Sequence, residues 1–315
     1  MIRLINWLVG ATTLSLFLTA CGGGSDDPPQ PTIAEVAQQQ GFTALLAAST
    51  KAGLSTTLAD PSGQLTVFAP SNAAFGTLAT QLGFASADAM VNALPADALA
   101  SILRYHVLGS KKMAADLSAG TQATLYTFGN AAASLTVATS GGVSLQDAAL
   151  TSARVTTADV QARNGVVHVI DKVLVPPGVL NIVQMAQVNT QFEPLVAAVV
   201  KANLQGTLSG AGPFTVFAPT RDAFTAVASV TATLGNAQLA SVLTYHVVAG
   251  QVLAAGIPFG TPVATVQGQQ ITINTGTPPT IRDSTQVSAR ITATDVRASN
   301  GVIHVIDKVL IPNPI

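Results

Sequence analysis

Four histidines supply most of the candidate acid–base and metal-binding nitrogen in this chain, and they stand in matched places. His106 and His246 each follow a tyrosine, as Tyr105-His106 and Tyr245-His246. His168 and His304 each precede an aspartate by three residues, Asp171 and Asp307. An imidazole, with an ordinary pKa near 6.5, suits general acid–base work, a pH switch or metal ligation. A metal site needs three or four converging ligands. Here the two histidines of each set lie about 60 residues apart, with no cysteine or glutamate beside them. The chain holds one cysteine, Cys21, and two glutamates, Glu35 and Glu193. No G-x-S-x-G elbow, H-E-x-x-H helix or glycine-rich phosphate loop occurs. These residues predict no enzyme, no metal site and no cofactor. The Tyr-His pairs remain as candidate partner contacts.

The elements that carry these residues come twice. Thr66-Val67-Phe68-Ala69-Pro70 returns as Thr215-Val216-Phe217-Ala218-Pro219, and the stretch from Asn164 to Pro176 returns from Asn300 to Pro312 with two Val/Ile exchanges. The period is near 140 residues, which is the size of a domain and not of a solenoid repeat. The expected organisation is a first domain over 32–176 and a second over 177–313. Between them Pro176-Pro177-Gly178 is expected to act as a hinge that few contacts cross.

Within each copy, apolar residues at three- and four-residue spacing predict helices first, capped by Thr32 and Asn181. Strands follow. Phe68 and Phe217 are expected as inward residues of a buried strand that Pro70 and Pro219 end. Asn164-Gly165 and Asn300-Gly301 predict tight turns before a closing core strand that runs to Val175. On that strand His168 and His304 are expected to pack, with Asp171 and Asp307 capping a turn or pairing with Lys172 and Lys308. Tyr105-His106 and Tyr245-His246 are expected at the start of a strand, where neighbouring side chains face opposite ways. One of each pair is then buried and the other presented. The class is α+β with a largely antiparallel sheet.

Composition bounds the function. The chain has 315 residues, 48% hydrophobic but only 9% charged, so it is not a disordered polar chain. A net charge of −1 with no basic stripe argues against nucleic acid as a partner. At the N-terminus, Arg3 and the apolar run Trp7 to Leu18 read as a signal peptide over residues 1–20. Leu18-Thr19-Ala20-Cys21 resembles the lipobox of bacterial lipoproteins, which implies lipid on Cys21. Gly22 after that cysteine resembles outer-membrane sorting. Residues 21–31, rich in Gly, Pro and Asp, read as a flexible tether.

The order TVFAP-S/T-x-x-A-F, then Tyr-His, then N-G-V-x-H-V-I-D-K-V-L resembles the fasciclin (FAS1) domain, twice over. The resemblance implies two tandem FAS1-like domains, each a wedge-like β-sandwich flanked by short helices. It also implies extracellular adhesion without catalysis, with Tyr105, His106, Tyr245 and His246 in the contact region. The function expected is a lipid-anchored envelope protein that engages matrix, polysaccharide or a surface protein. The alternative is a passive structural or self-associating envelope protein with no specific ligand.

Overall fold

The computed structural model describes residues 30–285 and 287–314, so the signal peptide, Cys21 and most of the tether lie outside the described residues. The first copy runs α1 (Ile33–Gln39), α2 (Thr43–Lys51), α3 (Ser55–Ala59), β1 (Leu65–Pro70), α4 (Asn72–Gln81), α5 (Ala87–Ala93) and α6 (Ala96–Tyr105). It continues with β2 (Val107–Leu108), β3 (Gly120–Phe128), β4 (Ala131–Ala138), β5 (Ser144–Gln146), β6 (Ser152–Ala162) and β7 (Gly165–Ile170). The second copy repeats this plan with α7 (Ile182–Val188), α8 (Glu193–Lys201), α9 (Gln205–Ser209), β8 (Phe214–Pro219), α10 (Arg221–Ala226), α11 (Ala228–Thr233) and α12 (Asn236–Tyr245). Its remaining strands are β9 (Val247–Ala249), β10 (Pro262–Ala264), β11 (Gln270–Asn274), β12 (Thr280–Arg282), β13 (Ala289–Ala298) and β14 (Gly301–Ile306). No helix among the described residues is long and apolar enough to cross a membrane.

Local sequence explains the helix starts. Thr32 and Asn181 each accept from the third helical N–H, while Glu35 and Gln184 reach back to the cap, closing a capping box at both copies' first helix. Ser71 and Thr220 cap the helices after the TVFAP strands, and Phe75 and Phe224 turn into the core.

Each copy has one seven-stranded sheet, β2-β1-β7-β6-β5-β4-β3 and β10-β11-β12-β13-β14-β8-β9. All neighbours are antiparallel except β1 with β7 and β8 with β14. β6 is the bent member: its first residues pair with β5 and the remainder with β7, across two register shifts. β13 does the same in the second copy. Bulges bend a strand and increase its twist, so the sheet folds into a wedge with an interior of its own.

β1 is therefore buried on both faces. Val67 and Ala69 face the helical core, whereas Phe68 packs inside the wedge with Leu135, Leu145 and Ile170. This explains the unbroken apolar run of TVFAP. Pro70 is the last residue in register, opposite Ile170, as Pro219 is opposite Ile306.

Three expectations need correction. The closing strands stop at Ile170 and Ile306; Asp171 is exposed, and Val173 to Val175 are buried without a ladder. The tight-turn residues are Arg163-Asn164 and Ser299-Asn300, because Ala162 pairs with Gly165 and Ala298 with Gly301. Glycine is needed for approach: a Cβ on Gly165 would lie 2.0 Å from the Leu65 carbonyl oxygen, and on Gly301 2.1 Å from that of Phe214.

The third correction concerns the hinge. The helical cores of the two copies merge into a single apolar cluster that includes Val175, Leu180 and Val188. Asn189 donates to the Ala149 carbonyl at 2.9 Å, and Lys172 donates to the Val188 carbonyl at 3.3 Å. The Arg297 guanidinium lies 5.7 Å from the centre of the Phe128 ring. Contacts cross the junction because the linker is apolar, with Pro176 and Leu180 buried and Pro177, Gly178 and Val179 half-buried.

Candidate contact surface over the Tyr-His turns

Tyr105 is the last residue of α6 and His106 its C-cap; Tyr245 and His246 hold the same places on α12. Leu99, Ile102 and Leu103 mark the face of α6 that meets the helical core, and the helix runs on through Tyr105, whose side chain leaves that face for the wedge interior. All four side chains are at most 2% exposed. The expectation of one presented residue per pair is thus corrected: helix geometry turns Tyr105 into the wedge and leaves His106 beneath the helix end.

Each tyrosine inserts between the sheet halves. Tyr105 donates its hydroxyl to the Ser134 carbonyl at 2.9 Å, and Tyr245 donates to that of Gln270 at 3.0 Å. Burial, then the nearby carboxylates of Asp147 and Asp283, push both phenols above their ordinary range. Each histidine is used at both nitrogens. His106 Nδ1 donates to the Ile102 carbonyl at 2.7 Å, while Nε2 accepts from the Leu174 N–H at 2.9 Å. His246 makes the same bonds to Val242 and Leu310, both at 2.8 Å. A proton on Nε2 would face an N–H donor in a dry core. Burial accordingly drives both imidazoles down to about 4.

The second histidine pair is also committed to the fold. His168 and His304 are fully buried and stack on Phe68 and Phe217, with ring centres 5.6 Å apart in both copies. Their Nε2 atoms donate to the Lys112 and Val252 carbonyls, and their Nδ1 atoms accept from the N–H groups of Asp159 and Asp295. Those aspartates sit at the bulges with φ near +60°. None of the four imidazoles therefore keeps a lone pair free for a metal or a substrate proton. Among the described residues, no group of three or more His, Cys, Asp or Glu side chains converges as a metal site.

Asn164 and Asn300 tie each copy's ends together. Asn164 Oδ1 accepts from Ile33 N–H, and its Nδ2 donates to the carbonyls of Leu58 and Asp60. Asn300 repeats this with Ile182, Leu208 and Gly210. Asp171 and Asp307 accept from the strand N–H groups of Arg154 and Arg290 at 2.7 Å. Of the two alternatives expected for them, the ion pair with Lys172 or Lys308 is not formed among the described residues.

Two functional-looking carboxylates were missed by sequence reasoning. Asp147, buried at 5% exposure, accepts from Ala149, Thr151 and Val175, and burial raises its pKa against those bonds. Burial also raises Asp283, but the Lys308 ammonium at 2.7 Å, Thr285 and the Ile311 N–H outweigh it and leave the carboxyl lowered. The one signal was the D-x-x-x-x-S-A-R stretch in a matching place of each copy, which is weak.

What reaches solvent at these turns is the cover. Leu125 on β3 is 41% exposed and stands over Arg104, His106 and Val107. Val266 is 47% exposed, and its N–H donates to the Val247 carbonyl next to His246. Each copy thus holds an exposed aliphatic side chain on a rigid, buried Tyr-His support.

The fold and this arrangement define a duplicated α+β wedge module with a packed interior and its chemistry-bearing residues spent on structure. A family model described as the fasciclin domain matches residues 40–176 and 190–312, and the chain belongs to that family. Over 140 residues it is 44% identical to protein sll1483 of Synechocystis, covering 42% of this chain and 74% of that protein. It is 32% identical over 255 residues to the transforming growth factor-beta-induced protein ig-h3 of Sus scrofa, covering 80% of this chain. The match spans only 35% of that relative's length. A solved fasciclin domain pair from the insect cell adhesion molecule fasciclin I superposes over 88% of this chain and 95% of its own, at 16% identity and a TM-score of 0.43.

Proposed function

We propose that this chain is an adhesion module, held at the cell envelope through lipid on Cys21, that engages a matrix component, polysaccharide or surface protein. Fasciclin domains occur in cell adhesion proteins, and this chain carries two of them. The observation that carries the reading is the paired cover, Leu125 and Val266, presented in both copies over an immobile Tyr-His turn. A rigid apolar contact loses little entropy on binding, and two contacts on one chain raise the effective concentration of the second. The buried tyrosines and histidines serve by holding that cover in place.

The test is retention of the full chain on immobilised envelope extract. Leu125→Asp with Val266→Asp should reduce retention at least tenfold at an unchanged melting temperature, since both side chains are exposed. No retention of the unaltered chain would leave the passive structural reading. Equal retention of the double variant would place the contact elsewhere. For the anchor, Cys21→Ser should move the protein from the membrane pellet to the soluble fraction; an unmodified thiol on residue 21 in mass spectrometry would remove lipidation.

A further inference from the structure

The two copies differ in what lies under the end of their last helix. In the first copy, a cavity of about 300 Å³ opens between α2, α3, α6 and β1. Its walls are aliphatic, with Leu45, Leu58, Val67 and Leu103 in the interior and Leu65 and Leu125 toward the opening. In the second copy, the matching cavity, lined by Leu195, Leu208, Val216 and Leu243, holds about 30 Å³. There Phe214 stands at the place of Leu65 and Val199 at that of Ser49. The imidazole at the base, His106, has both nitrogens bonded to backbone, so the interior offers no polar group to a ligand.

One cation stands at the opening. Arg104 is exposed, lines the cavity, and makes no ion pair among the described residues. In the second copy its place is taken by Thr244. Volume and charge are therefore both present in the first copy and both absent from the second.

We propose that the first copy binds one single-chain fatty carboxylate, with its tail in this cavity and its head group on Arg104. About 300 Å³ is at the small end for ligand sites. A pocket at that end of the range has room for one aliphatic chain and not for two. A guanidinium is the side chain best matched to a carboxylate, which it can hold through two parallel N–H bonds. The competing role for Arg104 is to face the carbonyls at the C-terminal end of α6, and that role requires no ligand.

The experiment is calorimetric titration of the full chain with decanoate, 1-decanol and decyltrimethylammonium, each below its micelle concentration. Decanoate should bind one per chain, and more tightly than the other two. Each buried methylene should tighten binding about fourfold, so hexanoate should bind at least a hundredfold more weakly than decanoate. Arg104→Gln should weaken decanoate at least tenfold and leave decanol unchanged. Leu65→Phe, the second copy's own residue, should abolish both. Several results would overturn the proposal: no saturable decanoate binding, a stoichiometry of two, equal binding of the cationic amphiphile, or unchanged decanoate affinity in Arg104→Gln. The last variant alters an exposed side chain and decides the matter even where Leu65→Phe fails to fold.

Discussion

His106 and His246 show how a titratable side chain can be held silent. Each ring accepts one backbone N–H and donates to one backbone carbonyl, so the neutral tautomer is the one the fold can hold. In the unfolded chain the same imidazoles titrate near 6.5, against about 4 when folded. Between those values the unfolded state binds protons that the folded state refuses. The stabilisation from these two residues is thus complete above pH 6.5 and is lost as pH falls toward 4. The loss amounts to on the order of 3 kcal/mol per histidine across that window. Urea unfolding at pH 7.0 and pH 4.5 should show a marked fall in stability. In His106→Gln with His246→Gln, the fall should be smaller, from a lower starting value. A flat profile in the unaltered protein would mean that the histidines are not buried in this way.

Among the elements, the parallel pairs β1–β7 and β8–β14 are where backbones come closest. Gly165 and Gly301 open β7 and β14 against the first residues of β1 and β8, at a distance that excludes any side chain. Gly165→Ala or Gly301→Ala should each cost roughly 3 kcal/mol or more, because the obstacle is backbone and cannot rotate away. Gly76→Ala makes the contrast. Gly76 lies inside α4 with open space around the added carbon, so alanine there should stabilise by up to about 1 kcal/mol. Equal effects of Gly165→Ala and Gly76→Ala in chemical denaturation would contradict the close approach.

The two copies behave as one body more than their repeat suggests. Their helical cores are continuous, and Lys172 and Lys308, equivalent in sequence, have taken different work. Lys308 pairs with Asp283 inside its own copy, whereas Lys172 reaches across to the Val188 carbonyl. The full chain should therefore unfold in a single calorimetric transition, and residues 32–176 alone should melt below it. Two separate peaks in the full chain, neither moved by Asn189→Ala, would show that the junction transmits nothing.

Much of this was legible in the residues. The repeat, the caps Thr32 and Asn181, the TVFAP strands and the inward Phe68 and Phe217 follow from local spacing and short-range hydrogen bonding, which a linear reading captures. The Tyr-His pairs read as strand starts because a helix end and a strand start look alike over two residues. Only the preceding period of Leu99, Ile102 and Leu103 separates them. Other features depend on partners far along the chain. Asn164 meets Ile33 at a separation of 131 residues, and Asp147 meets Val175 at 28. The same is true of the side chain that Lys172 and Lys308 each select, and of the cavity that opens in one copy and closes in the other. Apart from the exchanges Leu65 to Phe214 and Ser49 to Val199 at the cavity, nothing local encodes these choices, because packing and desolvation act between residues that only the folded chain brings into contact.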